Sequence, residues 1–431
     1  MLARSRRPRI RVFAAWSLAC AALAALALPS VAQALNLPGR IAYVRCTTSL
    51  VDCPLVVRQA DGSGGITTID GDVGAETLIG RWPSFAPDGS AVAYLDRKPA
   101  VEMDFVPIAV AKTDGSGSTV IRNRGYGSPT WRPVGASVAF VDDPDDELPG
   151  QVRTISPTGG SESQLFDLDR EPFVQPPGAP VGWLADSLQW LPGGSQLLLS
   201  ANGPSTPGGP QDRSAFFLIP AGSGEFATLT PNTPGASFTA PRLSRDGARL
   251  AYVYADTSTA QQLRVRDLAG TSEVTVPIGA LTIVEPHDFS PDGESVLISA
   301  RDPASPSEVH LYVVAIDGGA PPARVFADGA SHEASAAWFS ESRPTAITSG
   351  PSGLTNQSAA QFSLTQVGAP VAGNFECRLD GAPFAPCSST VSLPGLADGQ
   401  HTFEARFVIA GGGIGPTVSR TWTVDATPPS V

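Results

Sequence analysis

Trp82-Pro83-Ser84-Phe85-Ala86-Pro87-Asp88-Gly89 is followed, one residue on, by the apolar run Ala91-Val92-Ala93-Tyr94-Leu95. The Pro-Asp-Gly segment reads as a tight turn: proline presets φ, aspartate bonds its own backbone, and glycine takes the positive φ. The flanking runs read as short strands. The phrase returns as Pro129-Thr130-Trp131-Arg132-Pro133 before Ser137–Val141, and as Leu188-Gln189-Trp190-Leu191-Pro192 before Gln196–Ser200. It returns again as Pro241-Arg242-Leu243-Ser244-Arg245-Asp246-Gly247 and as Pro286-His287-Asp288-Phe289-Ser290-Pro291-Asp292-Gly293. A truncated sixth copy is Ser335-Ala336-Ala337-Trp338-Phe339-Ser340. The marker aromatics lie about 45 to 60 residues apart, the size of a propeller blade. A second turn follows roughly 25 residues after the first, as in Asp61-Gly62-Ser63-Gly64 and Asp114-Gly115-Ser116-Gly117. Each unit is therefore expected to be four strands, apolar on both faces and unable to stand alone, so that radial stacking is the closed solution.

The sixth copy lacks its outer strands, and the second-strand phrase Arg40-Ile41-Ala42-Tyr43-Val44-Arg45 precedes any inner strand. The C-terminal inner strand is expected to complete a blade begun by residues 40–70, sealing the ring. The predicted fold is all-β: a six-bladed β-propeller over 35–343, then a small Ig-like β-sandwich over 344–425. The aromatic-Ser-Pro-Asp-Gly-x-x-Val-Ala-Tyr pattern resembles the WD-like repeats of TolB-type propellers across residues 39–340. The resemblance implies a fold and no single activity, since such repeats serve scaffolds, peptidase accessory domains and some polysaccharide lyases. Two copies depart from it, with Val134-Gly135 and Gly193-Gly194 in place of Asp-Gly.

The N-terminus carries Arg4, Arg6, Arg7, Arg9 and Arg11, an apolar stretch from Val12 to about Leu28, and the triplet Ala32-Gln33-Ala34. That is the layout of a signal peptide over 1–34, cut after Ala34; an uncleaved anchor is the competing reading. With 29 basic and 41 acidic residues overall, loss of the five arginines leaves 24 against 41, a mature charge of −17. Such a surface disfavours nucleic acid and anionic lipid. A secreted or cell-envelope location is expected, with no membrane span after cleavage. Of the five cysteines, Cys20 departs with the signal. Cys46 with Cys53 and Cys377 with Cys387 then read as two local disulfides.

Beyond Arg343-Pro344 the pattern changes to short alternating strands, expected at 359–364, 374–379, 390–393, 401–408 and 419–424. Phe375-Glu376-Cys377-Arg378-Leu379-Asp380-Gly381 and Gly395-Leu396-Ala397-Asp398-Gly399-Gln400-His401-Thr402-Phe403 are similar to bacterial Ig-like repeats of exported proteins. Residues 426–431 read as a loose tail.

No Gly-x-Ser-x-Gly elbow, phosphate-binding loop or dinucleotide fingerprint is present. No catalytic residue, metal ligand set or cofactor is assigned. His401 reads as structural and His310 as ordinary surface. His287 and His332 begin neighbouring inner strands with Glu285, Asp288 and Glu333 close by, and histidine with carboxylate suits a divalent metal or acid–base work. Related propeller lyases do use histidines near the channel mouth. The run Asp142–Glu147 lacks the spacing of a calcium loop and reads as solvated. Loops entering the inner strands share one rim, which offers Arg81, Tyr126, Trp183, Phe238, Glu285, His287, His332 and Glu333 as a binding face. The expected role is non-catalytic binding of a protein or envelope polymer. The alternative is a metal-assisted carbohydrate-active lyase or hydrolase using His287 and His332.

Overall fold

A computed structural model describes residues 37–47, 50, 52–74, 82–96, 106–133, 135–142, 151–167, 184–203, 213–222, 226–230, 236–270, 272–327, 329, 332–340, 345–366, 373–409, 415 and 417–427. Residues 1–34, where a signal peptide is expected, Arg81, Trp183 and residues 143–147 of the acidic run lie outside them. The described residues contain strands and turns and no helix, so none is long and apolar enough to cross a membrane.

The strands pair as the repeated phrase anticipates. Ser84–Phe85, Ala91–Leu95, Val106–Lys112 and the first part of Ser118–Trp131 form one antiparallel group. The second part of Ser118–Trp131 begins the next, with Val138–Asp142, Gln151–Ile155 and Ser163–Asp167. Leu184–Trp190, Gln196–Gly203, Arg213–Pro220 and Ala227–Thr228 follow. After them come Ser237–Leu243, Arg249–Ala255, Gln262–Asp267 and Glu273–Thr275. Thr282–Phe289, Ser295–Asp302, Ser305–Ala315 and Ala323–Arg324 make another group. In the group that joins the two ends, His332–Phe339 pairs antiparallel with Arg40–Cys46, which pairs with Leu55–Gln59 and through it Thr67–Asp70.

Turn chemistry is what the residues dictate. Asp88 Oδ1 accepts the Ser90 N–H at 2.9 Å, and Asp292 Oδ1 accepts that of Glu294 at 3.0 Å. Gly89 sits at φ 70°, and a Cβ there would lie 2.3 Å from the Phe339 ring, so both its backbone and its packing require glycine.

The core lies between consecutive groups. Ala139, Val141 and Val152 meet Leu188, Trp190 and Leu197, while Phe140, Val138 and Trp131 meet Leu95 and Ile108. Ile41, Tyr43 and Trp338 meet Leu297, Leu311 and Phe326, joining the group that unites the chain ends to the one before it. Each fully buried Leu or Phe side chain contributes about 1.5–3 kcal/mol, and these faces have no other apolar partner. The marker residues Trp131, Trp190, Phe289 and Trp338 are all buried here, and Phe85 packs against the core between its own group and the one that unites the chain ends.

Past Thr345, Thr345–Ser349, Ala360–Gln366 and Thr390–Leu393 form one sheet. Gly353–Thr355, Val418–Val424, Gly399–Ile409, Gly373–Leu379 and Ala385–Cys387 form a second. Four of the five expected strands fall inside these elements, and the first, expected from 359, begins at Ala360. Phe362 stacks on Phe403 with ring centroids 4.1 Å apart, beside Trp422. At the tail, the Ala426 N–H and the Thr427 hydroxyl are both held by Asp398, so these two residues are tied down rather than loose.

Both expected disulfides, Cys46–Cys53 and Cys377–Cys387, are formed. The first closes the turn between two strands of the group that unites the chain ends. Replacing Cys46 and Cys53 together by serine should lower unfolding stability by about 2 kcal/mol, the chain-entropy value for so short a loop. Urea unfolding of the parent under oxidising and reducing conditions, beside the double variant, checks this; equal midpoints throughout would contradict it.

Candidate functional site

A cavity of about 660 Å³ is bounded by the inner strands of all the groups around the ring. The residue before each marker position faces it: Ser84, Thr130, Gln189, Arg242, Asp288 and Ala337. Three of these also stitch one group to the next. Ser84 Oγ accepts the Trp131 N–H at 3.0 Å, Gln189 Oε1 that of Leu243 at 2.8 Å, and Asp288 Oδ2 that of Trp338 at 3.1 Å. A polar side chain on an inner strand is placed to satisfy the backbone of its neighbour, where no ladder partner exists.

Asp288 also accepts the Phe289 N–H at 2.9 Å. Burial raises its pKa to about 6, against the opposing pull of the Arg245 and Arg242 guanidinium groups and those two N–H donors. Arg245 lines the same cavity and donates to the Ser340 carbonyl at 2.5 Å. Arg242 is almost fully buried, and its guanidinium stands 3.5 Å from the Trp82 ring centroid. Trp82 precedes the strand Ser84–Phe85, whose group is not a neighbour of the one that holds Arg242, so this cation–π contact spans the channel. Arg406, Gly415 and Thr417 of the C-terminal part border the cavity beside the Pro-Asp-Gly turns.

The structure redistributes the residues expected on a rim. Phe238 packs edge-on against Phe216 and lies beside Tyr252 and Tyr254, so it is core and not contact surface. Glu285, His287 and Glu333 are also internal. His332 is half-buried. Tyr126 pairs with Val141. The inward turn has a local cause. Register shifts interrupt pairing between Ile283 and Glu285, between Pro286 and Asp288, and between Thr239 and Arg242. Ala240 and Ser335 take left-handed φ values of 52° and 49°. Such bulges swing inner-strand side chains off simple alternation, and their non-glycine φ values mark strain at the channel wall.

His287 and His332 acquire separate neighbours. His287 Nδ1 accepts the Ala336 N–H at 3.3 Å and lies 3.9 Å from Glu285. Burial drives its pKa well below the usual histidine value, with Arg242 pushing the same way, so it is neutral. His332 Nδ1 accepts the Val309 N–H at 3.3 Å, and its pKa is lowered, chiefly by burial. In both rings the Nδ1 lone pair is engaged and the proton lies on Nε2, which leaves a donor and no ligating nitrogen. His310 is fully buried, against the expectation of ordinary surface. Its Nε2 is 3.2 Å from Glu308, its Nδ1 is 3.4 Å from the buried Glu333, and Arg324 reaches Nδ1 at 2.8 Å. Sequence reading missed this cluster because His310 alternates on a strand whose both faces are covered. His401 is structural, bonded to Asp380 at 2.7 Å and to the Ala397 carbonyl at 2.9 Å. Among the described residues, no group of three or more His, Cys, Asp or Glu side chains is arranged to hold a metal ion.

No family model matches the chain, and no curated protein matches its sequence. Solved structures do resemble it. TolB from Acinetobacter baumannii matches at 17% identity over 70% of this chain and 66% of its own, with a TM-score of 0.53. A putative TolB from Agrobacterium tumefaciens matches at 16% identity over 67% and 89%, with a TM-score of 0.43. The β-propeller domain of the Trilobed protease from Pyrococcus furiosus matches at 11% identity over 68% and 94%, with a TM-score of 0.41. The chain thus spans just under two thirds of the Acinetobacter protein. Taken with the strand pairing and the axial cavity, that match makes the fold a TolB-like β-propeller.

Proposed function

We propose that this chain is an exported envelope protein, a six-bladed propeller over 35–343 carrying an Ig-like sandwich over 344–425. It binds a protein or an envelope polymer without catalysing a reaction. Two disulfides and a mature charge of −17 suit an oxidising compartment outside the cytoplasm and a partner other than nucleic acid. Six core clusters, each between consecutive four-stranded groups, support the blade number. The observation that carries the binding reading is the use made of the polar inner-strand residues. His287, His332 and Asp288 accept backbone N–H groups of neighbouring strands, so they hold the ring together. Scaffolding of this kind leaves recognition to residues at the entries of the inner strands, with Arg81, Tyr126 and Trp183 as the proposed contacts.

The test uses the purified protein on isolated cell-wall polymer and on peptide and glycan arrays, with metal content measured in parallel. Retention on one array class that falls at least tenfold in a Tyr126→Ala, Trp183→Ala double variant, in metal-free protein, is the expected result. Stoichiometric metal lost on His287→Ala, together with turnover of a polysaccharide, would overturn it in favour of a carbohydrate-active enzyme.

A further inference from the structure

We propose that the middle of the axial cavity is a receptor for a small organic carboxylate, seated among Trp82, Arg242 and His287. This stands apart from the rim reading, since none of the proposed rim contacts Arg81, Tyr126 and Trp183 takes part.

Trp82 is 4% exposed and His287 2%, and both line the cavity. The indole Nε1 of Trp82 and the imidazole Nε2 of His287 are buried and meet no hydrogen-bond acceptor. For His287 the tautomer is fixed by chemistry: Nδ1 receives the Ala336 N–H, so the proton is on Nε2. A buried N–H left without an acceptor costs about 1–3 kcal/mol, and two of them in the wall of one cavity point to an oxygen supplied from outside the chain.

Arg242 is the common neighbour. Its guanidinium covers the Trp82 ring, and its strand, Ser237–Leu243, packs beside Thr282–Phe289, which carries His287. Carboxylates are present as well. Glu285 lies 3.9 Å from His287 Nδ1, and Asp288 lines the wall, but both Asp288 oxygens already receive backbone N–H groups. What Trp82 and His287 lack is therefore an acceptor, and a cation beside two N–H donors favours an anionic one. A carboxylate offers two oxygens with about four lone-pair directions, enough to serve both donors and the guanidinium. The cavity volume of about 660 Å³ lies in the usual range for small-molecule sites. Arg245, further toward the turns, gives a second charge for the far end of a dicarboxylate.

Succinate is the probe and succinamide its neutral twin, each titrated into the purified protein by calorimetry and thermal melting at ionic strength held with NaCl. Succinate should bind one site and raise the melting temperature saturably by roughly 2–4 °C, while succinamide does neither. Trp82→Phe keeps the ring beneath Arg242 and removes the N–H, and should weaken succinate at least about fivefold. His287→Gln retains both an acceptor for Ala336 and an N–H donor, and should bind within about threefold of the parent. His287→Leu should lose binding, and if it does not fold, Trp82→Phe decides. Equal melting shifts with succinate and succinamide would overturn the proposal, as would a Trp82→Phe affinity equal to that of the parent.

Discussion

Truncating Trp338 to alanine should lower the unfolding free energy by about 3–5 kcal/mol, the usual cost of emptying a buried aromatic site. The melting temperature should fall by roughly 10 °C. Trp338 is 3% exposed and packs with Ile41, Tyr43, Leu297 and Phe326, so it touches both ends of the ring and the group before the closure. Its indole Nε1 donates to the Pro38 carbonyl at 2.9 Å, and its backbone N–H goes to Asp288. The side chain therefore fastens the N-terminal strand to the C-terminal one and packs on the neighbouring group, while the backbone tie to Asp288 is kept in alanine. Gly39→Ala attacks the same closure without emptying the core. Gly39 sits at φ 93°, and a Cβ there would lie 2.2 Å from the Phe339 carbonyl oxygen, so a loss of about 2 kcal/mol or more is expected. Phe362→Ala is the control, because Phe362 belongs to the separate C-terminal core. It should shift a transition distinct from the one that Trp338→Ala shifts. Urea unfolding followed by tryptophan fluorescence and calorimetry measures all three. Melting of both closure variants within a degree or two of the parent would show that the chain ends do not carry the ring.

The closure was legible in the sequence for a simple reason. Blade identity is written in local chemistry: a turn of fixed composition, a marker aromatic, and an apolar run of period two. The unmatched strand at Arg40–Cys46 and the unmatched inner strand at His332–Phe339 could only complete each other, and they pair with Trp338 opposite Ile41. The site was much less legible. Phe238, Glu285 and Glu333 precede or open inner strands, where loop residues at a rim are expected, yet register shifts and the left-handed Ala240 and Ser335 carry their neighbourhood inward. Bulges depend on what the partner strand presents, and that partner can be hundreds of residues away. The tie from Asp288 to Trp338 spans 50 residues and the one from Trp338 to Pro38 spans 300. No periodicity in one segment encodes such a pairing. The contact of Arg242 with Trp82 is of the same kind, since it exists only once the ring has closed.

Asp288→Asn should remove much of the pH dependence of stability between about pH 4 and 6.5. Burial holds the folded-state pKa of Asp288 near 6, above its ordinary value of 3.8, because the charged form is desolvated more than Arg245 and the two N–H donors restore. In that window the native protein keeps a proton that the unfolded chain has lost, so the native state is favoured at low pH and loses that advantage as pH rises. The shift corresponds to about 2–3 kcal/mol, taken at the lower end because the side chain is not wholly shielded from the cavity water. Asparagine cannot ionise and retains an acceptor for one of the two N–H groups, at a fixed cost near 1 kcal/mol for the other. Relative to the parent, the variant should gain about 2 kcal/mol between pH 4 and pH 7.5, moving from slightly less stable to slightly more stable. Urea titrations at half-unit pH steps give the difference curve directly. A flat difference would mean that Asp288 is ionised throughout and that Arg245 compensates its burial in full. A rising one would make the tie between two neighbouring inner strands a strained carboxylate, retained at a cost to stability in a wall where the ties at Ser84 and Gln189 are made by neutral side chains.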